Sequence, residues 1–370
     1  MAPLTAGPDV REGWVPIDAV GDAAERLTFE PLPAAWRVGE FVRAYPGVRR
    51  RIRRLIAGSN YLLFSLGGLV GDWGAVAARE ARRMGRPYAV WTDRVESEVT
   101  RAQASSGPLK RRLCARLTWR PMRRVERHVI RHSTVGLFHG ADTHRAYASL
   151  APASELVHNI HVPRSARIDD DALDAKADAA LDGPLRIVYA GRMADMKGPL
   201  DWLDVLEGLA ARGVDFAATW MGDGEWMPRM RERVARPPLA GRVELPGFVG
   251  DRDTTMDALQ QAHLFLFCHK TPESPRCLIE SLIVGTPIVG YASGYARDLT
   301  AKQGGGRFVQ TGEVAALTDA VAELAKNRPR LAALIRAAAA DGRPFNDEDV
   351  FAHRSEVLRA RLPRFEPAET

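Results

Sequence analysis

At 370 residues, with 46% hydrophobic and 26% charged side chains, the chain reads as a globular protein of two or three domains, each able to bury its own core. It has no apolar run of the roughly 18 residues that span a membrane, and its opening MAPLTAGPDVREGW lacks a signal-peptide pattern. Only three cysteines occur, Cys114, Cys268 and Cys277, in contexts that argue against a disulfide framework or thiolate metal site, so a cytoplasmic location is expected.

The formal charge of +6 is unevenly spread, and arginine gathers in the first half. RRRIRR (49–54) comes first, followed by the strand candidate YLLFSL (61–66), the amphipathic helix GAVAAREARRMG (74–85) and the strand candidate YAVWT (88–92). The segment 109–131, LKRRLCARLTWRPMRRVERHVIR, then holds nine Lys or Arg against one acid, Glu126, with Leu113, Leu117, Trp119, Met122 and Val125 among them. Helical spacing would sort these into basic and apolar sectors, suited either to an anionic membrane surface or to a solvated face beside an anionic substrate. Pro121 argues against one straight helix. Neither basic run carries a nucleic-acid motif, so no nucleic-acid partner is expected. TVGLFHG (134–140) and ELVHNIHV (155–162) are further strand candidates. No opening strand and Gly-rich turn stand at the N-terminus, so this domain is expected to be abbreviated or to begin upstream. Residues 164–184, RSARIDDDALDAKADAALDGP, show no core pattern and read as a linker.

The second half alternates regularly. LRIVYAG (185–191), FAATWMG (216–222), RVELPG (242–247), HLFLFCH (263–269), TPIVGY (286–291) and GRFVQ (306–310) read as strands, with helical patterns between most of them. That alternation predicts a parallel sheet covered on both faces, with ligands beyond the carboxyl ends of its strands. DVFAHRSEVLRARL (349–362) reads as a closing helix.

Three strand-to-helix turns of this half carry chemistry. In YAGRMADMKGP, Arg192 follows the strand and Lys197 precedes the helix; the spacing is not that of a Walker A loop, but two cations at a sheet's carboxyl edge can clamp a diphosphate. In MGDGEW, Gly222 and Gly224 would let backbone approach a ligand closely. In HKTPESPRCLIES, Ser274 is a helix N-cap candidate and Pro275 suits the first helical position, which leaves the amides of Arg276 and Cys277 as an anion site. Glu273 then lies at the mouth of the site, and Glu280, nearly two turns into the helix, could accept both hydroxyls of a ribose or pair with a nearby arginine. The nine histidines include the close pairs His128 with His132 and His158 with His161, but neither has an evident third ligand, so no metal is expected.

GRMADMKG, MGDGEW, LPGFVG, the Glu273 to Glu280 segment and GTPIVG, in this order and spacing, resemble the donor domain of family-4 retaining glycosyltransferases of the GT-B fold, across residues 185–310. The resemblance implies an α/β protein of two Rossmann-like domains facing a cleft. Residues 1–163 with 349–370 would bind the acceptor, 185–348 would bind a nucleotide sugar, and the C-terminal helix would cross back to the first domain. It further implies that Arg192 and Lys197 hold the donor diphosphate, with Gly191, Gly222 and Gly224 in the turns around it. Glu280 would take the ribose, Glu273 with Ser274, Pro275 and Arg276 would face the sugar, and Phe248 and Val249 would lie near the base. The family separates its two glutamates by eight positions, whereas here the interval is seven, with Pro272 where the first would fall. Where many members place a sugar-contacting histidine, in VWTDRVE (90–96), this chain has Asp93, and His139 is a second candidate for a sugar or acceptor contact.

The function implied is transfer of a sugar, with retention, from a UDP- or GDP-sugar to an acceptor hydroxyl in surface polysaccharide or glycolipid synthesis. No cofactor is needed beyond that donor substrate. The acceptor would be lipid-linked or a growing glycan, and the Arg-rich segments 49–54 and 109–131 would meet the inner face of an anionic membrane. Two other classes would share the donor clamp: a nucleotide-sugar epimerase and a noncatalytic nucleotide-sugar or membrane-binding relative.

Overall fold

The computed structural model describes residues 27–33, 35, 37–104, 109–271 and 273–366; the N-terminal segment 1–26 and Pro272 lie outside them. The first part of the chain forms α1 (Val38–Ala57), β1 (Leu63–Ser65), α2 (Trp73–Arg83), β2 (Ala89–Thr92), α3 (Glu96–Ala102), α4 (Leu109–Arg131), β3 (Val135–His139), α5 (Gly140–Tyr147) and β4 (Ser154–Val157). The second part forms α6 (Asp170–Ala179), β5 (Leu185–Ala190), α7 (Pro199–Ala211), β6 (Phe216–Met221), α8 (Met227–Val234), β7 (Val243–Gly247), α9 (Arg252–Gln261) and β8 (Leu264–Phe267). It continues through α10 (Arg276–Ile283), β9 (Ile288–Tyr291), α11 (Gly294–Leu299), β10 (Gly306–Val309), α12 (Val314–Lys326) and α13 (Arg328–Gly342), and α14 (Asp347–Arg361) closes the chain.

Two parallel sheets result, one ordered β1-β2-β3-β4 and the other β10-β9-β8-β5-β6-β7. The second is the better packed because its central strands are apolar on both faces: all of Leu264–Phe267 is buried, as covering helices on both sides require. Trp202 of α7 and Trp220 of β6 meet edge to face at 5.3 Å, both wholly buried, in the core beneath the site.

The N-terminal segment expected to lack an opening strand lies outside the described residues; further on, β1 leads through Gly67 and Gly68 to Asp72, whose carboxylate accepts from Gly67, Gly74 and Ala75 N–H groups and caps α2. Two expectations need correction. The region 164–184 is no plain linker. Its helix α6 packs on α13, Ala177 and Ala180 are wholly buried, and Lys176 Nζ donates to the Val284 carbonyl at 3.0 Å. Alanines bury so narrow a strip that no apolar period shows in the sequence. Helix α4 runs unbroken through Pro121. Pro121 removes only the bond to the Leu117 carbonyl, and Leu117 is an exposed residue at which water can take its place.

Helix α14 returns to the first domain, where Val357 and Leu362 pack with Ala89, Val135, Leu137 and Val157. Arg354 lies over the Trp91 ring at 5.1 Å. Beyond α14, Phe365 N–H donates to the Asn60 carbonyl at 3.2 Å, and the Arg86 guanidinium stacks over the Phe365 ring at 3.5 Å.

His263, at the entry to β8, is wholly buried and its Nδ1 accepts from the Arg186 N–H at 3.2 Å, so the folded protein needs this ring neutral. Burial, helped by Arg186, Arg328 and Lys176, pushes its pKa down to about 3. A folded pKa below the unfolded one means that stability is present above about 6.5 and is lost as pH falls toward the folded value. Between pH 7 and pH 5 the loss should be about 2 kcal/mol from this group. The urea midpoint should therefore drop on acidification, and less so in His263→Asn; an equal drop in both proteins would refute the assignment.

Candidate functional site

In the second sheet the chain leaves β5 for β6 and β7 on one side, then returns to β8 on the other. The turns after β5 and β8 therefore diverge, opening a crevice at the carboxyl edge, the usual ligand position in such sheets. Residues 191–198, 268–271 and 273–275 line it. The two turns are tied together: Lys270 N–H donates to the Met196 carbonyl at 2.9 Å, and a Cβ on Gly198, which has φ +65°, would lie 2.2 Å from the Cys268 carbonyl oxygen.

Three of the residues singled out by the sequence meet here. Arg192 is exposed just past Gly191, and among the described residues its guanidinium forms no ion pair or side-chain hydrogen bond. Lys197 Nζ donates to Glu273 Oε1 at 2.5 Å, with both side chains about nine-tenths buried. Behind Glu273 stands His269, its Nδ1 3.6 Å from the same oxygen and its Nε2 2.8 Å from the Tyr189 hydroxyl. Burial, reinforced by Lys197, holds the His269 pKa well below its ordinary value, so this ring is neutral. The neutral ring and the tyrosine form a rigid back wall for the Lys197–Glu273 pair. Deeper in, Asp201 in the first turn of α7 accepts from Lys270 Nζ at 2.6 Å and from the Tyr291 hydroxyl at 2.8 Å.

Other residues sit differently from the expectation. Gly222 and Gly224 face the neighbouring turn: a Cβ on Gly222 would fall 2.0 Å from the Gly191 carbonyl oxygen, and one on Gly224 would fall 2.5 Å from that of Met193. Both glycines are needed because the turns after β5 and β6 stack backbone on backbone. Ser274 does not cap α10, whose N-cap is Pro275 without a side-chain bond. Its hydroxyl instead donates to the His139 carbonyl at 2.8 Å. Glu280 is paired with Arg252 of α9, whose Nη2 lies 3.1 Å from Glu280 Oε1. Phe248 and Val249 follow β7 at the edge of the site, and Phe248 is 64% exposed. Arg276, the first residue of α10, is exposed.

Across the crevice, the first domain contributes the carboxyl ends of β2 and β3. Asp93 is exposed just past β2, next to Arg94. Burial opposes the charge on Arg94, but Glu96, at 2.6 Å, together with Asp93 and Glu273 outweighs it and raises the Arg94 pKa. Arg94 thus feels Glu273 across the cleft. His139 is not a ligand contact in this arrangement: it is 1% exposed, with Nδ1 3.2 Å from the Val157 carbonyl and Nε2 2.9 Å from that of Ser274. It fastens the two domains. Asp142 does the same one turn on, accepting from the Gly294 and Tyr295 N–H groups at 3.0 and 2.8 Å, where the N-terminus of α11 favours a carboxylate.

Arg94, Arg252, His269, Tyr189 and Asp142 are functional-site residues that the sequence reading misses. Arg94, His269 and Tyr189 lie inside quoted segments and could have been weighed there; Arg252 and Asp142 carry no local signal. Among the described residues, no group of three or more His, Cys, Asp or Glu side chains could hold a metal ion.

Residues 171–341 match the family model described as glycosyl transferases group 1. Among characterised relatives, the chain is 32% identical over 155 residues to the 2-deoxystreptamine N-acetyl-D-glucosaminyltransferase of Streptomyces fradiae, a match covering 40% of this chain but only 36% of that protein's length. It is 24% identical over 267 residues to the amylovoran biosynthesis glycosyltransferase AmsK of Erwinia amylovora, covering 63% and 65% of the two chains. Among solved structures, the Anabaena protein Alr3699/HepE, in complex with UDP, superposes with a TM-score of 0.66 at 16% identity, over 85% of this chain and 82% of its own. The two-sheet architecture with its returning C-terminal helix is that of the GT-B glycosyltransferases.

Proposed function

We propose that this chain, whose residues 171–341 belong to the glycosyl transferases group 1 family, transfers a sugar with retention from a UDP-sugar to an acceptor hydroxyl. The observation that carries this reading is the Arg192 guanidinium, unpaired among the described residues, at the same β5/β8 crevice as the Lys197–Glu273 pair. A diphosphate lying there would meet Arg192 as a two-pronged donor, Lys197 as a point charge, and the first amides of α10. UDP is favoured as the nucleotide because the structurally similar Anabaena protein was solved with it.

In the reaction, the bond from the anomeric carbon to the diphosphate oxygen breaks and the acceptor oxygen bonds to that carbon from the same face. The acceptor's proton passes to the departing phosphate oxygen. Arg192 and Lys197 neutralise the charge that collects on the leaving group. Glu273, paired with Lys197 and backed by His269, accepts from hydroxyls of the transferred sugar. Glu280 keeps one oxygen for the ribose while Arg252 holds the other. Phe248 offers its exposed ring to the base. Asp93 and Arg94 face the acceptor from the first domain, and the fastening of His139 to Ser274 keeps the two halves in register. The relationship to AmsK favours an acceptor in surface polysaccharide synthesis.

Thermal unfolding with UDP, GDP, ADP, CMP and dTDP tests the donor site. At a hundred times its dissociation constant, UDP should stabilise the protein by about 2.7 kcal/mol, with the other bases well behind. Equal stabilisation by all five would remove the base assignment, and stabilisation by none would remove the donor site itself.

A further inference from the structure

The two arginine-rich runs differ in how they are used. In α1, Arg49 and Arg53 bind the wholly buried Glu80 of α2 at 2.9 and 3.3 Å, and Arg51 pairs with Glu30. Three of the five arginines in that run are thus engaged within the fold. In α4 the sole acid, Glu126, is 1% exposed and takes the Ser97 N–H at 2.9 Å. Among the described residues, Arg116, Arg120, Arg123, Arg124, Arg127 and Arg131 form no ion pair.

The same helix exposes Leu109 by 79%, Leu113 by 60% and Leu117 by 68%. At about 100° per residue these three, with Arg116, Arg120, Arg124, Arg127 and Arg131, share one sector about 100° wide. Ala115, Met122, Val129 and Ile130 are buried away from it. Leading into parallel strand β3, α4 must run from the carboxyl edge of the sheet to the amino edge. At 23 residues it is about 34 Å long, beside strands of about 17 Å or less, so its leucine end overhangs on the side of the cleft.

We propose that the exposed face of α4 docks on an anionic lipid surface, with Leu109, Leu113 and Leu117 entering the acyl boundary and the unpaired arginines meeting the headgroup phosphates. Apolar side chains at one end and uncompensated cations along the rest of one helix face complement such a surface. A nucleic acid would leave the leucines in water, and an acidic protein groove would need matching apolar depth at one end only. Among the described residues no helix is long and apolar enough to cross a membrane, so α4 lies on the surface rather than through it. This inference is independent of the donor chemistry.

The test is cosedimentation of the full chain with vesicles of equal parts phosphatidylglycerol and phosphatidylcholine, against phosphatidylcholine alone, at low and high salt. The wild type should bind the anionic vesicles and be largely released by salt. Leu113→Glu with Leu117→Glu should lower binding at least about tenfold, and Arg120→Gln with Arg124→Gln should weaken it and flatten its salt dependence. Circular dichroism melting confirms that each variant folds; both pairs are exposed. Absence of sedimentation with anionic vesicles, or leucine variants that bind like the wild type, would overturn the proposal. A wild-type dimer in light scattering that the leucine variant abolishes, without vesicle binding, would assign the face to a second copy instead.

Discussion

Arg192→Ala should lower turnover roughly 10²- to 10³-fold while leaving the fold intact. The two halves of this expectation rest on different observations. The guanidinium is exposed and unpaired among the described residues, so its removal strands no buried charge and opens no cavity. Its position one residue past Gly191, where β5 and β8 part, is where a leaving diphosphate would gather charge. Steady-state release of UDP from a UDP-sugar in the presence of acceptor, set beside a melting curve, separates the two. Near-normal turnover would remove Arg192 from the mechanism, and a collapsed melting temperature would show that its role is structural.

Lys197→Ala should be more damaging, because it acts on stability and chemistry together. With Lys197 gone, Glu273 remains as a largely buried carboxylate beside a neutral His269. Stranding such a charge costs about 3–5 kcal/mol, and loss of the phosphate contact should cost roughly 10²-fold or more in turnover. The double variant Lys197→Met with Glu273→Gln distinguishes these effects. Removing both charges should recover much of the lost stability, since an apolar or neutral pair tolerates the site better than one orphaned ion. Turnover should stay low. If the stability losses of the single variants simply add, with no coupling of at least about 0.5 kcal/mol, the pair seen between the two turns is not an energetic unit.

The second domain is largely legible in the amino-acid sequence. Its six strands fall within a residue or two of the runs read from LRIVYAG to GRFVQ, and the central β8 and β9, buried on both faces, write their apolar character into consecutive residues. The turns at Arg192 and Lys197 are legible for a related reason: Gly191, Gly198 and Pro199 mark the end of one element and the start of the next. The first domain is harder to read. Helix α1 carries Pro46, a residue that signals a break, and α6 buries alanines too small to register.

What the sequence by itself determined, then, is the order of elements and the presence of two cations and one carboxylate in turns at one edge of a parallel sheet, with a second carboxylate on the helix that follows. The tertiary structure decided how they are used. Glu280 meets Arg252 from 28 residues away, Ser274 meets His139 from 135 residues away, and Asp142 meets the start of α11 from 152 residues away. Local signals, such as period, caps and glycines, arise from interactions within about ten residues along the chain. Partners brought together by the reversal of strand order at β5 and by the docking of two domains leave no such trace.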